Sequence, residues 1–232
     1  MCACRGTAGF AHVSCLAEQA KILFAEAEED NLGDKAWNER WNRWHMCSLC
    51  EQNYHGVVKC ALGWACWKTY VGRPETDWCL SLGCAMAELG NGLHLAEHYE
   101  DALTVREAEL ATMRRVGAPE ENVLIAQSNL ASTYSHLGRE EEALRMRQGV
   151  YSGCLKLKGE DNLSTLMAAN NYASSLLNLE HYAEAKALLR KVTPVARRVL
   201  GESNRITLTI RKVYAVVLYR DDSSTVLPGR TA

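Results

Sequence analysis

An internal repeat with a period of 42 residues constrains the fold of this chain more than any other feature. Asn-Leu-Ala at 129–131 recurs as Asn-Tyr-Ala at 171–173, and Gly-Glu at 159–160 recurs at 201–202. Periods of about 20 to 50 residues indicate a solenoid, a propeller or a repeat array. One unit of this size cannot bury its apolar face alone, so neighbouring units are expected to stack.

Within each period the apolar residues have helical spacing. Ile125, Leu130, Tyr134 and Leu137 fall on one stripe at steps of three to five residues, and Gly138 is expected to end that helix. A second apolar series with helical spacing follows the glycine. Each repeat is therefore predicted to be a hairpin of two helices.

The second helix of each hairpin is predicted to end at a glycine, namely Gly117, Gly159 or Gly201. Basic residues in the turn before each glycine complement the negative end of the helix dipole. Small residues such as Ala143 and Ala185 allow close approach of neighbouring helices. The predicted fold class is mainly α, with an α-solenoid of helical hairpins.

The unit GREEEALRMRQGVYSGCLKLKGEDNLSTLMAANNYASSLLNLEHYAEAKALL resembles the tetratricopeptide repeats of kinesin light chains, over roughly residues 85–220. In that family the first helices line a concave groove, and an Asn in the pattern Asn-apolar-Ala hydrogen-bonds the backbone of an extended peptide. Asn129 and Asn171 occupy this pattern, with Asn170, Ser132 and Ser174 beside them. Asparagines that cap or bridge neighbouring repeats would give the same pattern, and the sequence leaves this alternative open.

The first fifty residues carry a different pattern, a set of closely spaced thiols and imidazoles. Thiol pairs on short turns can place two sulfurs around one ion, as a tetrahedral zinc site requires. The chain has ten cysteines and no segment with the pattern of a secretory signal, which favours metal ligands over disulfides. The candidate ligands are Cys2, Cys4, His12, Cys15, Cys47 and Cys50.

The stretches CACRGTAGFAHVSCLAEQ and CSLCEQNYHG resemble the second half of a RING-CH zinc finger. The resemblance implies one complete zinc site made by four thiolates, those of Cys2, Cys4, Cys47 and Cys50. It assigns His12 and Cys15 to a second site that lacks its other pair of ligands. RING-type domains hold a ubiquitin-charged E2 enzyme in a reactive orientation, so the resemblance also implies a ubiquitin-ligase alternative.

The charge balance excludes several classes of partner. The 26 basic and 28 acidic residues give a net charge of −2, which argues against a nucleic-acid-binding surface or a polybasic membrane patch. No apolar run reaches the length of a membrane span. We therefore expect a soluble, cytoplasmic protein. The sequence shows no phosphate-binding glycine loop or hydrolase motif, and no catalytic residue is predicted.

These features divide the chain into four parts. Residues 1–56 are predicted to form an incomplete zinc-finger module with a helical insertion, and 57–77 a connecting helix and linker. Residues 78–220 should hold about three and a half tetratricopeptide repeats, and 221–232 a disordered tail. The expected function is that of a zinc-binding adaptor whose groove binds a protein or peptide. The alternative is an E3 ubiquitin ligase that recruits an E2 through the finger and a substrate through the repeats.

Overall fold

A computed structural model describes residues 12–73 and 82–225, with side chains as far as residue 221. These residues form ten α helices and one short 3-10 helix (Asn42–Trp44), and no β strand occurs among them. None of the described helices combines the length and apolar composition needed to cross a membrane. The helices are α1 (Val13–Glu29), α2 (Asp34–Trp41), α3 (Gly56–Tyr70), α4 (Gly83–Leu95), α5 (Tyr99–Arg115), α6 (Glu120–His136), α7 (Glu140–Lys158), α8 (Leu163–Asn178), α9 (Tyr182–Leu200) and α10 (Arg205–Thr225).

The chain divides into two compact units. The first unit is Met1–Ala118 and contains α1 to α5, whereas the second is Pro119–Ala232 and contains α6 to α10. The boundary predicted from the sequence between residues 77 and 78 lies outside the described residues. The mainly α fold expected from the repeat pattern is confirmed.

An aromatic cluster forms the core of the first unit at the junction of α1, α2 and α3. The Phe24 ring meets Trp37, Trp41 and Tyr70 edge-on, with ring centroids 5.0, 4.9 and 5.7 Å away. Phe24 is fully buried, and Trp44 and Tyr70 are each 1% exposed. Edge-to-face pairs of this kind stabilise a core by about 0.5–1.5 kcal/mol each beyond the burial of apolar area.

Two glycines let α3 and α4 approach each other at the level of the backbone. A Cβ atom at Gly63 would lie 2.8 Å from the carbonyl oxygen of Glu88, and one at Gly92 would lie 2.9 Å from the Cα of Cys60. Both distances are shorter than van der Waals contact, so a larger residue at either position would push the helices apart. The packing of these two helices therefore depends on glycine.

The same helix pair buries an ion pair. Lys59 Nζ on α3 donates to the carboxylate of Glu88 on α4, and the two residues are only 6% and 8% exposed. His45 Nδ1 lies 3.0 Å from the second oxygen of Glu88. Burial opposes ionisation of Glu88, but the hydrogen bond from His45 and the charge of Lys59 outweigh it and lower the pKa of Glu88.

The second unit consists of the hairpins α6–α7 and α8–α9, followed by the single helix α10. Its main core gathers α8, α9 and α10 around residues such as Leu176, Leu189 and Ile210, all fully buried. As predicted, α7 and α9 end at Gly159 and Gly201, whose φ angles of 79° and 86° favour glycine. The hairpin repeat expected from the sequence is confirmed in this unit.

The last helix is longer than predicted. It continues to Thr225, whereas the sequence placed the start of a disordered tail at residue 221. Lys186 Nζ on α9 donates to Asp221 at 2.7 Å, and this contact fixes the first residue of the expected tail. The helix α9 runs through Pro194, a residue that has no backbone N–H to donate within the helix.

Candidate functional site

A groove opens where α6, α7 and α8 meet in the second unit, and we call it the α6–α8 groove. It encloses a cavity of about 220 Å³. Its apolar lining consists of Leu124, Ile125, Val150, Cys154, Met167 and Ala168. Its polar lining consists of Glu121, Ser128, Asn129, Lys158, Ser164 and Asn171.

The floor of the groove is a small apolar cluster. Leu124, Val150, Cys154 and Ala168 pack together there and are each at most 6% exposed. Gly153 leaves room for the Leu124 side chain, because a Cβ at position 153 would come within 2.6 Å of it. Burial raises the pKa of the Cys154 thiol, so this group lines the floor in its neutral form.

Two large apolar side chains stand exposed in the groove. Ile125 on α6 is 55% exposed and Met167 on α8 is 45% exposed, and the two occupy the same position of successive repeats. The apolar spacing placed Ile125 on one stripe with Leu130, but Leu130 is buried whereas Ile125 is exposed. The reason is that a first helix of a stacked hairpin has neighbours on two sides only, so a residue between them faces the groove.

The structure brings two of the five predicted peptide-binding residues into the cavity lining, Asn129 and Asn171. Asn170 is half-buried, and its side-chain oxygen has no hydrogen-bond partner. Ser174 donates its hydroxyl to the backbone oxygen of Asn170 at 2.9 Å. Neither serine of the predicted set, Ser132 nor Ser174, lines the cavity. The amides of two successive repeats therefore face one cavity.

An ion pair closes one end of the groove. Lys158 Nζ at the end of α7 donates to Glu121 Oε1 in the first turn of α6, and also to Ser164 Oγ at 3.4 Å. The lysine side chain is 19% exposed and that of the glutamate 54%. This arrangement fixes the carboxyl end of α7 against α6 and α8. Sequence reasoning missed the pair because its partners are 37 residues apart.

The predicted metal ligands Cys47 and Cys50 lie on a tight loop in the first unit. The backbone N–H of Leu49 donates to Cys47 Sγ at 3.4 Å, and that of Glu51 donates to the Cys47 carbonyl at 3.0 Å. Glu51 adopts a left-handed conformation (φ 55°) that turns the chain back. The loop packs against Val13 and Leu16 at the start of α1.

The remaining predicted ligands are His12, Cys15, Cys2 and Cys4. His12 precedes α1 and Cys15 lies in its first turn, and both residues are exposed. Cys2 and Cys4 lie outside the described residues. Among the described residues, no group of three or more His, Cys, Asp or Glu side chains could hold a metal ion. The zinc site thus stays a prediction.

Comparison with a family model identifies tetratricopeptide repeats in the second unit. The model described as "Tetratricopeptide repeat" matches residues 123–154 and 165–205, which cover most of α6 to α9. A search of curated proteins finds no match. The matched residues include the whole floor of the α6–α8 groove.

Solved structures share the fold. The crystal structure of BtubC (BKLC) from P. vanneervenii has a TM-score of 0.60 and 13% identity, and the match covers 96% of this chain and 97% of that one. The crystal structure of a putative kinesin light chain with nearly identical TPR-like repeats, from Podosopora anserina, has a TM-score of 0.60 and 17% identity. That match covers 93% of this chain and 91% of that one.

These comparisons do not support the RING-CH resemblance of the first fifty residues, because the family match is confined to the repeats. Identities of 13–17% establish the fold alone. Repeats of this kind present an extended surface suited to protein–protein interaction. The second unit therefore contains tetratricopeptide repeats, and the chain shares its fold with solved structures that include a putative kinesin light chain.

Proposed function

We propose that the protein is an adaptor that binds an extended segment of a protein partner in the α6–α8 groove. The observation that carries this proposal is the pairing of two exposed apolar side chains, Ile125 and Met167, with the amides of Asn129 and Asn171 around one cavity. An apolar floor flanked by amides suits a peptide, since both side chains and backbone groups of the ligand then find partners.

The size of the cavity favours a peptide over a small-molecule cofactor. Pockets for drug-sized ligands have volumes of about 300–1,000 Å³, whereas this cavity measures about 220 Å³. A cavity of that volume accommodates one large apolar side chain. The groove therefore anchors one residue of the partner.

The amides give the groove tolerance of sequence outside that anchor. Each asparagine side chain offers one acceptor oxygen and two donor hydrogens, so it can bond both groups of a peptide unit. Asn171 is exposed and Asn129 is half-buried. Bonds to the ligand backbone from successive repeats would hold the peptide in an extended conformation.

Selection of a displayed peptide library on the complete chain tests this function. We expect the selected peptides to lose at least about tenfold in affinity on Met167→Glu, because a carboxylate would face the apolar floor. Asn171→Ala should weaken binding as well. Asn122→Ala, an exposed asparagine on α6 that does not line the cavity, is the matched control. Peptides that bind equally well to all three variants would contradict the proposal.

We also propose a structural zinc bound by Cys47 and Cys50 together with Cys2 and Cys4. The loop geometry supports the first pair, because a backbone N–H that donates to Cys47 Sγ stabilises a thiolate there. Zinc takes four such ligands in structural sites and supplies folding free energy to the segment that it closes. The ion would hold residues 2–4 beside the loop.

Metal analysis of the purified chain tests the zinc proposal. We expect about one zinc per chain, lost on Cys47→Ser and retained on Cys154→Ser, whose thiol lies in the other unit. Chain purified without chelator that contains no zinc, and takes up none when zinc is added, would rule the site out. Peptide binding in the groove is measured on the same samples and should not depend on the metal.

A further inference from the structure

One face of α10 is exposed, whereas the equivalent face of α6 and of α8 is buried. Leu124 on α6 and Leu166 on α8 are 4% and 2% exposed, but Leu208, the same position of the next repeat, is 50% exposed. Likewise Ala131 and Ala173 are fully buried, whereas Ala215 is exposed. Leu208 and Ala215 are thus exposed at positions that the two preceding repeats bury.

The exposed apolar positions lie along one side of α10, with the exposed cations Arg211 and Lys212 in the turn between Leu208 and Ala215. Leu208, Ala215 and Tyr219 follow each other at steps of seven and four residues, which places them on one side of a helix. Tyr219 is 75% exposed. We call this side the α10 face. A large aromatic and a leucine beside a small residue are typical of a surface on which another helix packs.

The repeat itself shows which kind of element covers such a face. Leu124 is packed against Val150 and Cys154 of α7, the second helix of its own hairpin. In the next repeat, Leu166 on α8 lies in the core formed with α9, which is again the second helix of the same hairpin. Since α10 is the first helix of a third repeat, the element that fits its bare face has the chemistry of α7 and α9. That element is an amphipathic helix with a small residue at the closest approach.

The charge of Arg205 on α10 specifies one residue of the docking helix. In the first hairpin of the second unit, Glu121 on α6 pairs with Lys158 near the end of α7. The position of Glu121 is taken in α10 by Arg205, which is exposed. A helix that docks as α7 does would bring its residue at the Lys158 position next to this guanidinium. Lysine would be repelled there, and a carboxylate attracted.

We infer that the α10 face is a docking site for an amphipathic helix of a partner protein, which carries an acidic residue where α7 carries Lys158. This site is separate from the α6–α8 groove and takes a helix, not an extended peptide. Recognition rests on apolar contact with Leu208 and Tyr219, on close approach at Ala215, and on the ion pair with Arg205.

Two synthetic peptides test the charge requirement. Both have the sequence of residues 140–158, and one carries Lys158→Glu. Binding to the complete chain is followed by fluorescence anisotropy of a dye on the peptide. We expect the glutamate peptide to bind about fivefold tighter or more, and Arg205→Glu in the protein to reverse the order. Equal binding of both peptides, an unchanged order in the variant, or no binding at all would overturn the inference.

Substitution of each of two exposed alanines by arginine locates the peptide on the protein. Ala215→Arg should abolish binding, whereas Ala187→Arg, an exposed alanine in the middle of α9, should leave it unchanged. Equal losses in both variants would place the peptide elsewhere and overturn the inference. Sedimentation of the chain alone tests whether a second copy covers the face instead. A dimer that is present in the unaltered chain and absent in Ala215→Arg would also overturn it.

Discussion

Removal of one partner of the buried ion pair in the first unit should destabilise that unit strongly. Lys59→Met leaves the Glu88 carboxylate 8% exposed, with His45 Nδ1 as its remaining polar neighbour at 3.0 Å. The unpaired group must then remain charged in a poorly solvated site or take up a proton. Breaking a buried pair in this way costs about 3–5 kcal/mol. We expect about 3 kcal/mol here, because His45 keeps part of the compensation.

A second substitution separates the cost of the unpaired charge from the loss of packing. In Lys59→Met/Glu88→Leu both charges are gone, and side chains of similar volume fill the space between α3 and α4. Such replacements are often neutral or stabilising. The double variant should therefore be more stable than Lys59→Met by about 2 kcal/mol or more.

Tryptophan fluorescence during urea unfolding measures these differences in the right part of the molecule. All six tryptophans lie before residue 79, so their emission reports on the first unit alone. Lys68→Met, an exposed lysine on the same helix, is the control and should change stability by less than about 0.5 kcal/mol. A double variant no more stable than Lys59→Met, or a Lys59→Met variant as stable as the control, would show that the unpaired charge does not destabilise the unit.

Three further predictions concern the helices. Gly92→Ala should destabilise the first unit by about 1–3 kcal/mol through its clash with α3, whereas Gly149→Ala, with no atom within 4 Å of the added Cβ, should stabilise the second unit by about 1 kcal/mol. Equal effects in urea unfolding would contradict the close approach of α3 and α4. Burial raises the pKa of Glu109 to about 7, so its folded form holds a proton that the unfolded form releases. The free energy of unfolding should thus fall between about pH 4.5 and 7, by up to about 3 kcal/mol, and Glu109→Gln should flatten that fall. Pro194→Ala restores a backbone donor inside α9 and should raise the melting temperature of the second unit, and a lower value would show that the helix needs the proline.

The candidate groove was partly predictable from the sequence. Asn129 and Asn171 were identified because one repeat places equivalent residues on equivalent helices, and both line the cavity. Ser132 and Ser174 were expected beside them, but each lies about one turn beyond the cavity on its helix, and Ser174 bonds the backbone of its own helix. The apolar spacing placed Ile125 on one stripe with Leu130 but did not show that it is exposed, because a single helix does not reveal which of its faces a neighbour covers.

The amino-acid sequence was sufficient to predict the hairpin repeat, its period and the glycines that end its helices, because backbone conformation and apolar spacing are local properties. Which residues of each repeat are buried by neighbouring helices became known from the packing of the helices. Leu124 and Leu208 are the same residue type at the same position, yet one is buried and the other is half exposed, because the number of neighbouring helices differs. The ion pair of Lys59 and Glu88 was equally hidden, since it depends on two helices that meet through glycines 29 residues apart. Contacts between distant segments depend on how several segments pack together, so the sequence of one segment alone does not reveal them.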